Sequence, residues 1–174
     1  KKNCMACHQV DKKVVGPAGT WTWLSEGLWT SIPRPILDQI FRDVIAVLLS
    51  VVGQTETPPG SNSTAVTREL DANFPPVPLA NGGTHPRSGT SYCGSGLFWA
   101  LWKAGYPVDP NGYIVVNGVP VRLFYCPQDV AQFKAAGAWV PPTERAQRGD
   151  LVEYRWAGSK ASADHVGYVI DVLP

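Results

Sequence analysis

The chain has 174 residues, a net charge of +1 and 17% charged residues. That length supports one domain with its own core, or a small domain plus an extension, and the near-neutral balance argues against nucleic acid or an anionic membrane as the main partner. Sixteen Pro and seventeen Gly exceed average usage and predict many turns and at least one irregular segment. The four cysteines, Cys4, Cys7, Cys93 and Cys126, are too few for a disulfide scaffold of this size. No uncharged apolar run is long enough to span a membrane, since the best stretch, residues 36–52, carries Asp38, Arg42 and Asp43. The seven Trp are either buried structural residues or, on an exposed cleft, a surface for sugars or peptides.

Residues 1–20 are a short polar stretch that contains Cys4-Met5-Ala6-Cys7-His8 and a Gly-Pro-Ala-Gly turn. Residues 21–53 form an aromatic-rich, amphipathic helical region. Trp21, Trp23, Leu24, Leu28 and Trp29 need burial, and from Ile36 the apolar residues Ile40, Phe41, Val44, Ile45, Leu48 and Val51 follow helical spacing up to a stop at Gly53. Residues 54–87 are rich in Pro, Gly, Ser and Thr and read as a linker or long loop, with one helical turn near 65–70.

From residue 88 the pattern becomes that of a folded core. An apolar helix runs over 94–104 and stops at Gly105. Strands over 113–116 and 119–124 flank Asn117-Gly118, a tight hairpin turn. A second helix over 127–136 starts with Pro127, and strands over 150–156 and 165–173 close the chain. Helices first and antiparallel strands after predict an α+β class.

Two residues sit where a thiol hydrolase needs them. Cys93 precedes an apolar helix, and a helix N-terminus lowers a thiol pKa. His165 opens a strand in Asp164-His165-Val166-Gly167, and a nearby imidazole can take the thiol proton. A Cys93–Cys126 disulfide would disable this nucleophile, and His85 in the loop region reads as structural.

The segment Tyr92-Cys93 before a helix ending Lys103-Ala104-Gly105 resembles the nucleophile motif of papain-like cell-wall hydrolases, the CHAP and NlpC-type amidases and endopeptidases. Gln132-Phe133-Lys134-Ala135-Ala136-Gly137-Ala138-Trp139 resembles an intervening segment of some members. Arg148-Gly149-Asp150-Leu151-Val152 resembles their Pro-Gly-Asp-Leu-Val, with Arg148 in place of Pro, and Asp164-His165-Val166-Gly167 their His-Val-Gly. The likeness covers about residues 88–172. It implies a papain-like fold, with the nucleophile at a helix N-terminus packed on an antiparallel sheet and preceded by the helical extension. It also implies peptidoglycan as substrate, amide hydrolysis as reaction, Cys93 as nucleophile, His165 as general base, no cofactor for the hydrolysis, and a periplasmic or secreted location in a bacterial envelope. If the chain is a secreted toxin, an immunity protein would be its partner.

The family usually adds a polar residue that orients the histidine. Asp171 shares a strand face with His165, but six residues of strand span about 20 Å at ~3.3 Å each. Glu153 on the neighbouring strand is the weaker option, and Asp164 should face the other way. A simple hairpin would place the orienting residue beyond Pro174, as expected of a hydrolase core, residues 88–174, truncated at its C-terminus. The start at Lys1 suggests a processed form or a fragment.

Cys4, Cys7 and His8 match the pattern for covalent haem attachment, with both thiols on the vinyl groups and His8 on the iron. With the following residues to Ala18, the segment resembles small bacterial cytochromes c. The sole Met lies inside the motif, so the usual axial ligand is missing. The resulting alternatives to a hydrolase are a c-type haem redox protein with a C-terminal partner domain and an inactive wall-binding module.

Overall fold

The computed structural model describes residues 22–24, 34–79, 82–85, 92–140 and 143–172. The fold is mixed α+β. Its elements are β1 (Thr22–Leu24), α1 (Arg34–Ser50), α2 (Ala65–Asn73), β2 (Val77–Pro78), β3 (Thr84–His85), α3 (Cys93–Lys103), β4 (Tyr113–Val116), β5 (Val119–Arg122), α4 (Cys126–Ala135), β6 (Trp139–Val140), β7 (Leu151–Tyr154) and β8 (His165–Tyr168).

Four strands form one antiparallel sheet in the order β6-β1-β7-β8. The central position of β1 was not expected. Residues 22–24 lie in the stretch read as helical, yet they pair with Val140 and Trp139 on one side and with Glu153 and Val152 on the other. The extension therefore contributes a strand to the sheet as well as a helix packed on α3. No local pattern marks a strand of three residues whose partners lie more than a hundred positions away.

Helix α3 is the hub. Every residue from Gly94 to Leu101 is buried, as befits a helix that is apolar all round. It packs against α1, α2 and β8. Phe98 meets Phe74 and Phe124 edge-on, each at 5.0 Å between ring centroids.

The stretch read as a linker or long loop has its expected helical turn near 65–70, extended to the nine residues of α2. Thr64 caps α2 by accepting from the Thr67 amide, and the Thr67 hydroxyl accepts from the Thr64 amide in return. Val66, Leu70, Phe74, Val77 and Leu79 then join the core. Glu69 ties α2 to α3, accepting from Trp99 Nε1 at 2.7 Å and pairing with Lys103 at 2.9 Å. A Pro- and Gly-rich composition hides these elements because each is short.

The β4–β5 hairpin matches its expected turn: Asn117 and Gly118 take φ of 49° and 80°, the left-handed pair that a two-residue turn requires. Strand β5 stops at Arg122, two residues early, and the chain then turns directly into α4. Among the described residues no helix is long and apolar enough to cross a membrane.

Candidate active site

Cys93 is the first residue of α3, and Tyr92 before it provides no side-chain cap. The first-turn amides are thus left for other acceptors, and the positive end of the helix lies at the thiol. Gly94 follows for a steric reason: a Cβ built there would overlap the carbonyl of Leu123. The start of α3 rests directly on the backbone leading into α4.

That contact brings a second cysteine to the first. Cys126 is the first residue of α4, and its Sγ lies 3.8 Å from Cys93 Sγ. Both are free thiols; Cys126 is buried and Cys93 is partly exposed. The separation is well beyond the roughly 2.05 Å of a disulfide.

His165 opens β8 and is 7% exposed. Its ring packs against Tyr154, its partner in the β7–β8 register, at 4.7 Å, and against Trp156 at 5.9 Å. The structure brings His165 to Cys93, the two residues that the sequence singles out. The Cys93 thiol is held well below its ordinary pKa. The largest cause is a hydrogen bond with Cys126, followed among the favourable ones by the hydrogen bond and charge of His165 and the Val166 amide, while burial opposes them. Cys126 is pushed far up, first by its hydrogen bond with Cys93, then by burial and by the charges of Cys93, Glu153 and Asp129. The physical reading is a Cys93 thiolate that accepts a hydrogen bond from a Cys126 S–H.

Two carboxyl groups lie beneath this pair. Asp129 stands one helical turn after Cys126 and is fully buried. Glu153, on β7, is 1% exposed. One ligand atom from each of Cys126, Asp129 and Glu153 falls within 4.8 Å of the others. Burial raises both carboxyl pKa values strongly. The negative charge of Cys93 adds to the effect at Asp129, and those of Asp129 and Cys93 add to it at Glu153. Of the four acids in the cluster, Cys93 is the one shifted towards its ionised form, and the other three are shifted towards their protonated forms.

Glu153 does not fit as the residue that orients the histidine. It pairs with Val166, whereas Tyr154 pairs with His165, so strand alternation turns Glu153 to the face opposite the imidazole. Asp164 is engaged in its own loop, accepting from the Trp156 amide at 2.9 Å and the Ser159 hydroxyl at 2.8 Å. Asp171 accepts from the Val172 amide at an exposed position beyond β8. Cys93 and His165 meet beside the rings of Tyr154 and Trp156, which pack on the imidazole.

Comparison of the chain with family models, with curated proteins and with solved structures finds no match.

Sequence reasoning missed Asp129. A carboxylate in a first helical turn usually faces solvent and complements the helix dipole, and only tertiary packing reveals this one as buried. Cys126 carried a faint signal: it follows a tyrosine and starts a helix, as Cys93 does. Cys4, Cys7 and His8 lie outside the described residues, and His85 is described only as a strand position paired with Val77.

Proposed function

We propose that this chain is a thiol hydrolase of the papain-like class that cleaves an amide bond in peptidoglycan, acting in a bacterial envelope, in the periplasm or after secretion. The observation that carries the reading is the meeting of Cys93, at the start of α3, with His165, at the start of β8, around a thiol whose ionised form is favoured. The ordered motifs over residues 88–172 supply the substrate class.

The chemistry follows from the arrangement. The Cys93 thiolate attacks the amide carbonyl carbon, and the developing oxyanion is met by the Cys93 backbone N–H at the head of α3. Collapse breaks the C–N bond as His165 gives a proton to the leaving amine, leaving a thioester on Cys93. A water molecule then gives its proton to His165, attacks the thioester carbonyl, and releases the acid and the thiolate. Trp156, 52% exposed beside His165, offers an apolar wall for the substrate.

The test is release of cleaved muropeptides from purified peptidoglycan, followed by mass spectrometry. The parent chain is expected to cleave and Cys93→Ala to show none above background. Equal cleavage by both would end the assignment.

A further inference from the structure

The hydrolase reading uses one thiol and one imidazole. It gives no part to Asp129 and Glu153, two carboxyl groups that are costly to bury beside the Cys126 thiol. Neither carboxylate oxygen of Asp129 makes a hydrogen bond of good geometry, although the side chain is fully buried, and only the backbone at Tyr125 and Asp129 favours its charge. Among the described residues, no Lys or Arg is among the charges acting on Cys126, Asp129 or Glu153; those charges come from one another and from Cys93. Buried acidic groups with no cationic side chain beside them are a setting in which a metal ion can supply the missing positive charge.

We propose that Cys126, Asp129 and Glu153, completed by Cys93, form a binding site for a thiophilic divalent cation, with zinc as the best fit. The geometry supports it. A tetrahedral zinc with Zn–S bonds of about 2.3 Å sets two sulfurs about 3.8 Å apart, and the two thiols stand at 3.8 Å. Cys126 and Asp129 are three residues apart on α4, the spacing that puts two ligands on one helix face. Glu153 comes from β7 and Cys93 from α3, so the four donors sit on three regular elements and need little ordering. Two sulfurs and two carboxylates select zinc over magnesium or calcium, which prefer all-oxygen shells. Binding displaces the protons held by the cluster into solvent.

The site stands on geometry alone. Its consequence rests on the hydrolase reading: zinc on Cys93 would occupy the nucleophile, so the loaded protein would be a resting form and the metal-free protein the active one.

Cobalt, then zinc, titrated into the full-length chain under a phosphine reductant tests the site. Cys4→Ser and Cys7→Ser are included in every protein to remove the other thiols. One cobalt per chain is expected, with thiolate-to-cobalt charge transfer and tetrahedral visible bands, displaced by zinc. Cys93→Ser should lower the thiolate band by about half. Cys126→Ser and the near-isosteric Asp129→Asn should each weaken binding by more than the roughly 10–100-fold that loss of an outer partner costs. Absence of thiolate charge transfer at stoichiometric cobalt, or binding unchanged in Cys126→Ser, overturns the site. Because these readings need no substrate, the two ideas fail separately. Cobalt binding without cleavage by the metal-free chain keeps the site and removes the hydrolase. Cleavage without cobalt binding does the reverse.

Discussion

Helices α3 and α4 both begin with a cysteine preceded by a tyrosine, and the two thiols 3.8 Å apart take opposite states. Cys93 is driven towards thiolate and Cys126 towards thiol. A helix N-terminus alone does not explain this, because each cysteine has one. Their neighbours differ. Cys93 faces His165 and the Val166 amide, whereas Cys126 sits over Asp129 and Glu153. The second helical residue differs too: Gly94 in α3 keeps its N–H, and Pro127 in α4 has none. Helix dipoles set a common tendency, and the side chains packed against each end decide which thiol ionises.

The largest expected effect breaks the pair by chemistry. Cys93→Ala should lower muropeptide cleavage by about 10⁴-fold or more, the scale on which enzymes lose their nucleophile. Cys126→Ala removes only a hydrogen bond to a charged group, worth about 1.5–3 kcal/mol, and should cost roughly 10–100-fold. Equal losses in the two variants would mean that the thiols act as one unit.

The next effect concerns ionisation. Iodoacetamide labelling of Cys93, read by peptide mass spectrometry against pH, should have its midpoint below the ordinary thiol value of about 8.5. That midpoint should rise in His165→Ala, and Cys126 should label only above it. Labelling of Cys126 first would reverse the assignment of the two roles.

Which half of this comparison was legible in the sequence has a physical explanation. Cys93 and His165 announce themselves through local chemistry: a thiol before an apolar helix and an imidazole before a β-branched strand. Asn117-Gly118 likewise fixes its hairpin by backbone sterics alone. Strand β1 gave no such signal, since it owes its place to partners far along the chain, and α2 showed only as one helical turn near 65–70 because it lies among turn-forming residues. Asp129 has the sequence context of a surface carboxylate, and its burial comes from tertiary neighbours such as Glu153 on β7. The meeting of Cys93 with His165 was readable, and the burial of Asp129 was not.

Gly94 gives a smaller, purely steric test. Ala there must push against the Leu123 backbone, which cannot swing aside as a side chain can. Gly94→Ala should destabilise the fold by about 1–3 kcal/mol, the usual cost of overpacking, and should separate the two thiols. Slower diamide-induced cross-linking of Cys93 to Cys126 would report the second effect. An unchanged melting temperature and cross-linking rate would show that α3 does not rest on that carbonyl.

The smallest effect is thermodynamic and has opposite signs for the two layers of the site. Asp129 and Glu153 have folded pKa values raised above their unfolded ones, which lie near about 3.9 and 4.3. The folded chain therefore binds more protons than the unfolded chain, and this contribution to stability falls as pH rises from about 4 through the folded values. Asp129→Asn and Glu153→Gln remove the penalty. With a chelator present, each should match the parent melting temperature near about pH 4 and exceed it at about pH 8, by about 2–4 °C for every kcal/mol relieved. Cys93 has a folded pKa below its unfolded one, so its contribution is complete above about pH 8.5 and is lost as pH falls through the folded value. Cys93→Ser should thus lose most stability at alkaline pH, where the carboxyl variants gain most. Melting curves for the three variants that ran parallel to the parent at every pH would mean that the thiol and the acids do not share one buried charge.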